Sequence, residues 1–181
     1  ARYDNGGQVW RINAGKPISG GVGADGRVVA VGTAKGEVLA FDGSGKALWT
    51  ARVTSEVLAA PQLAEGLVLV RSGDNRIFAL DAADGKRKWV YQRSTPALSL
   101  RSNVGVIVAG KAALAGFPGG KLVAIALSNG APLWEATVAM PKGATELERV
   151  SDVTSAPVVA GSEVCAAAYQ GRVACFDLAS G

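Results

Sequence analysis

ALDAADGKRKW, residues 79–89, has the form A-x-D-x-x-x-G-K-x-x-W. An apolar strand ends, a turn follows, and a second strand runs out to Trp89. In the turn, Asp81 is placed to accept hydrogen bonds from the amides after it, as in an Asx turn. Gly85 permits a left-handed backbone where a Cβ would clash. Trp89 offers a large flat face and an indole N–H for a nearby carbonyl. Such a stretch could be a cofactor cradle, a catalytic corner or scaffold, and its recurrence decides for scaffold.

Four segments share the pattern: RVVAVGTAKGEVLAFDGSGKALW (27–49), LVLVRSGDNRIFALDAADGKRKW (67–89), AALAGFPGGKLVAIALSNGAPLW (112–134) and EVCAAAYQGRVACFDLASG (163–181). Each has an apolar strand, a Gly- or Asn-bearing turn, a second apolar strand and a D-x-x-x-G-like turn. The first copy keeps Asp42 and Trp49 but is one residue short, and the third keeps Gly130 and Trp134 with Ala126 in place of the aspartate. Trp10 ends an earlier copy, and Trp10, Trp49, Trp89 and Trp134 follow one another at 39, 40 and 45 residues. A period near 40 with short strands predicts an all-β propeller of four-stranded antiparallel blades.

In the second copy the strands are placed near 57–63, 67–72, 76–81 and 86–92, with EG, DN and ADG supplying the tight turns. The chain then reads as one partial propeller domain over 1–181. Its blades fall at about 16–53, 55–93, 102–138 and 155–181, and 8–12 is the last strand of a preceding blade. The fourth copy ends at Gly181, four residues before the tryptophan that its motif predicts. A piece of that size would leave two apolar blade faces uncovered, so it is expected to self-associate, or to complete its fourth blade with the strand around Trp10.

Composition narrows the chemistry. Hydrophobic residues make up 49% of the 181, glycine accounts for 24 and charged residues for 19%, which suits sheets with tight turns. Apolar runs such as VGVIVAG (104–110) are far shorter than the roughly 20 residues of a spanning helix. The absence of histidine excludes Ser-His-Asp and Cys-His catalysis and every His-ligated metal site. The net charge of +4 is spread along turns and exposed strand positions rather than clustered with aromatics, so a nucleic-acid partner is not expected. No metal and no cofactor are expected. Cys165 and Cys175 lie in a hairpin read as turning at Gln170-Gly171. A two-residue turn sets them on opposite faces of the sheet, which predicts two free, buried thiols unless a bulge intervenes.

Functional residues belong where recurrence fails. From each tryptophan to the glycine opening the next blade's second strand (Trp10–Gly26, Trp49–Gly66, Trp89–Gly110, Trp134–Gly161) the separations are 16, 17, 21 and 27. The two long connectors flank one blade and emerge on one face. The first contains Leu98, Leu100 and Arg101, and the second contains Glu146, Glu148, Arg149 and Asp152. Exposed leucines beside charges would form an anchor with a charged rim. Leucines tucked under the loop, with surface charges paired among themselves, are the open alternative.

The A-x-D-x-x-x-G-K-x-x-W copies resemble the tryptophan-docking motif of quinoprotein-type eight-bladed propellers, and the four blades are then about half of a ring of eight. TPALSLR (95–101) with ELERVSDV (146–153) is similar to the family of propeller lipoproteins in the outer-membrane β-barrel assembly machine, the BamB family. That resemblance implies a non-catalytic scaffold at the periplasmic face of the outer membrane of a Gram-negative bacterium. It implies docking on the periplasmic POTRA region of BamA through Leu98, Leu100, Arg101 and Asp152, with Glu146 and Arg149 as further contacts. The family often carries a second acid two residues after the aspartate, where Thr154 stands here. Nascent outer-membrane proteins are possible further partners, and membrane association would rest on an N-terminal lipid anchor that this chain does not include. The alternatives are part of a quinone-dependent dehydrogenase propeller, or a periplasmic ligand-binding propeller. The dehydrogenases need a cage of acidic and amide oxygens and often a vicinal cysteine pair, and neither is evident in the sequence.

Overall fold

A computed structural model describes residues 4–181. It contains fifteen strands in four antiparallel sheets. The first sheet is β1 (Ile18–Ala24), β2 (Val28–Thr33), β3 (Glu37–Asp42) and β4 (Ala47–Arg52). The second is β5 (Gln62–Ala64), β6 (Leu67–Arg71), β7 (Ile77–Asp81) and β8 (Arg87–Tyr91). The third is β9 (Ile107–Ala109), β10 (Ala112–Phe117), β11 (Lys121–Ala126) and β12 (Pro132–Thr137). The fourth has three strands, β13 (Val158–Ala160), β14 (Glu163–Ala168) and β15 (Arg172–Asp177). Each sheet is a meander of sequential neighbours, and the four are blades of a partial β-propeller.

Burial explains the broken alternation of the middle strands. β6, β7, β10 and β11 are buried on both faces, because apolar clusters fill the space between successive sheets. Val38, Val57, Val68 and Phe78 lie between the first and second, Leu69, Ile77, Phe117 and Val123 between the second and third, and Leu114, Leu122, Val153 and Val164 between the third and fourth. The outer strands β4 and β12 carry mostly exposed side chains. The innermost strand of the second blade is shorter than its expected 57–63, since β5 begins at Gln62. Pro61 has no N–H to give a ladder, and its carbonyl runs against Gly23, where any Cβ would overlap it.

The motif of residues 79–89 does what its chemistry predicts. Asp81 Oδ1 accepts the Ala83 amide at 2.8 Å, and Asp42 Oδ1 accepts those of Ser44 and Lys46 at 2.8 and 3.0 Å. Each tryptophan docks on the next blade. The indoles of Trp10, Trp49, Trp89 and Trp134 donate to the carbonyls of Gly43, Ala82, Leu127 and Leu178 at 2.9, 2.9, 2.7 and 3.1 Å. Gly85 and Gly130, at φ 73° and 76°, serve two needs at once. They take the left-handed turn, and a Cβ on either would come within 2.6 or 2.7 Å of the incoming indole of Trp49 or Trp89.

Two expectations are corrected. Residues 8–12 form no strand, although Trp10 docks like its counterparts, and they do not join the fourth blade, whose sheet order is β13-β14-β15. A strand needs a ladder partner, and none lies beside this segment. The cysteines are neither free nor buried, Cys165 being half-buried and Cys175 exposed. Three residues, Tyr169, Gln170 and Gly171, separate Ala168 from its partner Arg172, with Gln170 and Gly171 at positive φ. The extra residue moves the register by one, sets Cys165 opposite Cys175 with Cα atoms 4.0 Å apart, and allows a disulfide between them.

Candidate functional site

The connectors leave the blades at the end where β2 turns into β3, β6 into β7, and so on round the sheets. Those between the first three pairs of blades span 53–61, 92–106 and 138–157. The outer two are built alike. The Val57 amide donates to the Thr33 carbonyl at 3.0 Å and the Glu56 carbonyl accepts the Gly73 amide at 2.8 Å. In the third connector the Val153 amide donates to Phe117 at 3.2 Å and the Asp152 carbonyl accepts the Tyr169 amide at 2.8 Å. Glu56 and Asp152 therefore occupy equivalent positions on either side of the middle connector.

Both acids reach toward it. The Arg101 guanidinium lies 3.2 Å from a Glu56 carboxylate oxygen. The Ser55 hydroxyl, the residue's own amide and Arg101 together hold the Glu56 carboxyl below the usual glutamate range. Asp152 Oδ2 accepts the Leu100 amide at 2.6 Å, and Oδ1 accepts the Gly119 amide at 3.0 Å. Below the same loop Arg71, only 7% exposed, donates through Nη1 to the Val104 carbonyl at 3.4 Å. The loop is thus gripped from two sides and from beneath by residues of other segments.

The sequence-predicted residues divide in their placement. Leu98 is 43% exposed, Leu100 is half-buried and Arg101 is exposed, so one leucine faces out and the other is partly tucked. Asp152 is 3% exposed, and both its oxygens already accept amides. Rather than the exposed rim charge expected of it, Asp152 is the tie between the two connectors. A carboxylate beside two unpaired amides is drawn inward, because each charge-assisted bond offsets its desolvation. Glu146 and Arg149 are exposed and face each other at 3.5 Å. Their turn is held by Glu148, whose Oε2 accepts the Ala144 and Thr145 amides at 2.7 and 3.1 Å, while Thr145 Oγ1 accepts the Glu148 amide. This reciprocal capping keeps the Glu148 carboxyl below its ordinary value, with the Thr145 amide the leading cause.

Sequence reasoning missed Met140, Leu147 and Tyr169, which stand 71%, 69% and 46% exposed on this face. Leu147 was visible as an apolar residue inside a charged run. Glu56 and Arg71 were missed as well. The apolar anchors and the mixed charges together suit a polypeptide surface. Among the described residues no cluster of three or more acidic or thiol side chains is placed to hold a metal ion.

The comparisons with known proteins agree with one another. A family model described as "Outer membrane protein assembly factor BamB" matches residues 1–181. The protein of that name from Nitrosomonas eutropha is 53% identical over 96% of this chain and 42% of its own length. The crystal structure of BamB from Moraxella catarrhalis superposes with a TM-score of 0.87 at 32% identity, over 93% of this chain and 52% of that one. The quinohemoprotein alcohol dehydrogenase of Comamonas testosteroni superposes with a TM-score of 0.67 at 16% identity, over 87% of this chain and 30% of that one. This last likeness concerns the fold alone. The chain spans about half, or less, of the length of the relatives that it matches.

Proposed function

The chain belongs to the BamB family of outer membrane protein assembly factors, and from that premise we propose that it is a non-catalytic scaffold that docks on the periplasmic POTRA region of BamA. In that role it assists the folding and insertion of β-barrel outer-membrane proteins. The observation that carries the reading is the middle connector, which is non-repetitive, held from both sides by Glu56 and Asp152, and presents Leu98 and Arg101 outward. Leu98 and the exposed part of Leu100 bury apolar surface on the partner, each desolvated anchor contributing about 2 kcal/mol. Arg101 sets orientation, with Glu146 and Arg149 at the edge of the patch. Asp152 acts by holding the loop. The Cys165–Cys175 disulfide supports the periplasmic face of the outer membrane as the site of action, since such bonds persist in oxidising compartments.

Binding to the purified POTRA region, measured by calorimetry, tests the reading. Leu98→Ala and Arg101→Glu are each expected to weaken it at least tenfold, the second because a new carboxylate faces Glu56 as well as the partner. Wild-type affinity in both variants, or no binding by the protein at its full natural length, would overturn it.

A further inference from the structure

The second strands of the four blades are in register with one another. Gly32 pairs with Val38, Arg71 with Ile77, Gly116 with Leu122 and Ala167 with Val173, so these four residues occupy one equivalent position. Three are Gly, Gly and Ala, and the reason is steric at two of them. A Cβ on Gly32 would overlap Val57, and one on Gly116 would overlap Val153, the valines that follow Glu56 and Asp152 in the connectors. In the second blade the same position holds an arginine.

Arg71 sits there at 7% exposure. Its Nη1 donates to the Gly116 carbonyl at 2.6 Å and to Val104 at 3.4 Å, and Nη2 donates to Asn75 Oδ1 at 2.9 Å. The guanidinium lies 5.2 Å from the centroid of the Phe117 ring. Among the described residues no carboxylate pairs with it directly. Burial lowers its pKa to about 10, and the field of Asp152 opposes that shift. Desolvating a charge with no direct partner is expensive, and the fold manages without it in the other three blades. The contacts lead to the reason. They cross from the second blade to the third blade and to the return leg of the middle connector, where Val104 lies three residues after Arg101. The outgoing leg is held by the Leu100 amide on Asp152. Arg101, Ser102 and Asn103 span the interval between these two grips.

We propose that Arg71 is a positioning residue for the docking loop: by holding the Val104 carbonyl from beneath, it fixes the loop so that Leu98 and Arg101 meet the partner in one arrangement. The partner half of this statement rests on the POTRA-docking reading above. The other half, that Arg71 orders the loop, does not.

The test uses the 181-residue chain with Arg71→Met and Arg71→Lys, followed by amide hydrogen exchange and by calorimetric binding to the POTRA region. Arg71→Met is expected to speed exchange of the Leu100 amide at least tenfold while the docking-turn amides of Gly45, Gly85 and Gly130 keep their protection. It is expected to weaken POTRA binding about tenfold, and Arg71→Lys, which can reach a single carbonyl, to recover part of both. Accelerated exchange in the docking turns with Leu100 unchanged would overturn the proposal, since Arg71 would then serve the blade and not the loop. A loosened loop with undiminished affinity would overturn it too. If the protein at its full natural length does not bind the POTRA region, the docking reading fails, and the exchange comparison still decides whether Arg71 orders the loop. Should Arg71→Met not fold, Asn75→Gly replaces it. That change removes one acceptor of Arg71 and suits the φ of 62° at this position, and wild-type protection of Leu100 would then count against the proposal.

Discussion

The two ends of the blades solve the same problem by different means. At one end each docking turn is repeated, and backbone groups carry it. The Gly85 amide meets the Asp81 carbonyl at 2.9 Å and the Gly130 amide meets that of Ala126 at 2.9 Å, although the third copy has lost the motif's aspartate. Asn129 Oδ1 still accepts the Ala131 amide at 3.0 Å, as Asp84 Oδ1 accepts that of Lys86 at 3.0 Å in the second copy. At the other end the middle connector has no repeating ladder, and side chains of three other segments hold it. A recurrent turn tolerates the loss of one side chain because the backbone closes it. A unique loop depends on particular side chains, and buried charges among them make it sensitive to substitution.

That contrast can be broken most directly at Trp89. It is 8% exposed and closes the second blade against the third, so Trp89→Ala is expected to cost about 3–5 kcal/mol in chemical denaturation. A loss near 1 kcal/mol would mean that the turns close without their indole. The connector gives the next largest effect. Asp152→Ala strands the Leu100 and Gly119 amides and removes the charge that offsets Arg71, at about 1–3 kcal/mol. Asp152→Asn, which keeps one acceptor, should recover part of it, and equal unfolding midpoints for the three proteins would refute the clamp. The smallest effect sharpens the comparison from the other side. Restoring the motif with Ala126→Asp should change stability by less than about 1 kcal/mol, because backbone bonds already close that turn and the Ser128 amide the new carboxylate would take is on an exposed residue, open to water. A larger gain would show that the aspartate, and not the backbone, governs these turns.

The propeller was legible because its signals are local and repeated. A turn of Asp and Gly with Trp at a fixed offset reports its own geometry wherever it recurs, and connector length alone drew attention to 92–106 and 138–157. What stayed hidden depended on orientation or on one residue of register. Asp152 reads as a loop acid, and only the three-dimensional path of residues 98–100 shows that amides draw it inward. Arg71 follows four apolar residues at the end of a strand, where a cation usually faces water, and only alignment with Gly32, Gly116 and Ala167 marks it as an intruder. The cysteines turned on whether two or three residues cap their hairpin, a difference that reverses the facing of every side chain in one strand. Met140 and Leu147 are apolar residues within charged neighbourhoods, and composition carries no information on which way such residues point.

The tryptophans dock forward, never backward: Trp49, Trp89 and Trp134 donate to carbonyls 33, 38 and 44 residues further along. A blade therefore cannot be locked by its tryptophan until most of its successor is in place. A blade whose successor is missing keeps one apolar flank without its cover. The blades overlap like tiles laid in chain order, each one pinned by its own tryptophan to the tile that follows it.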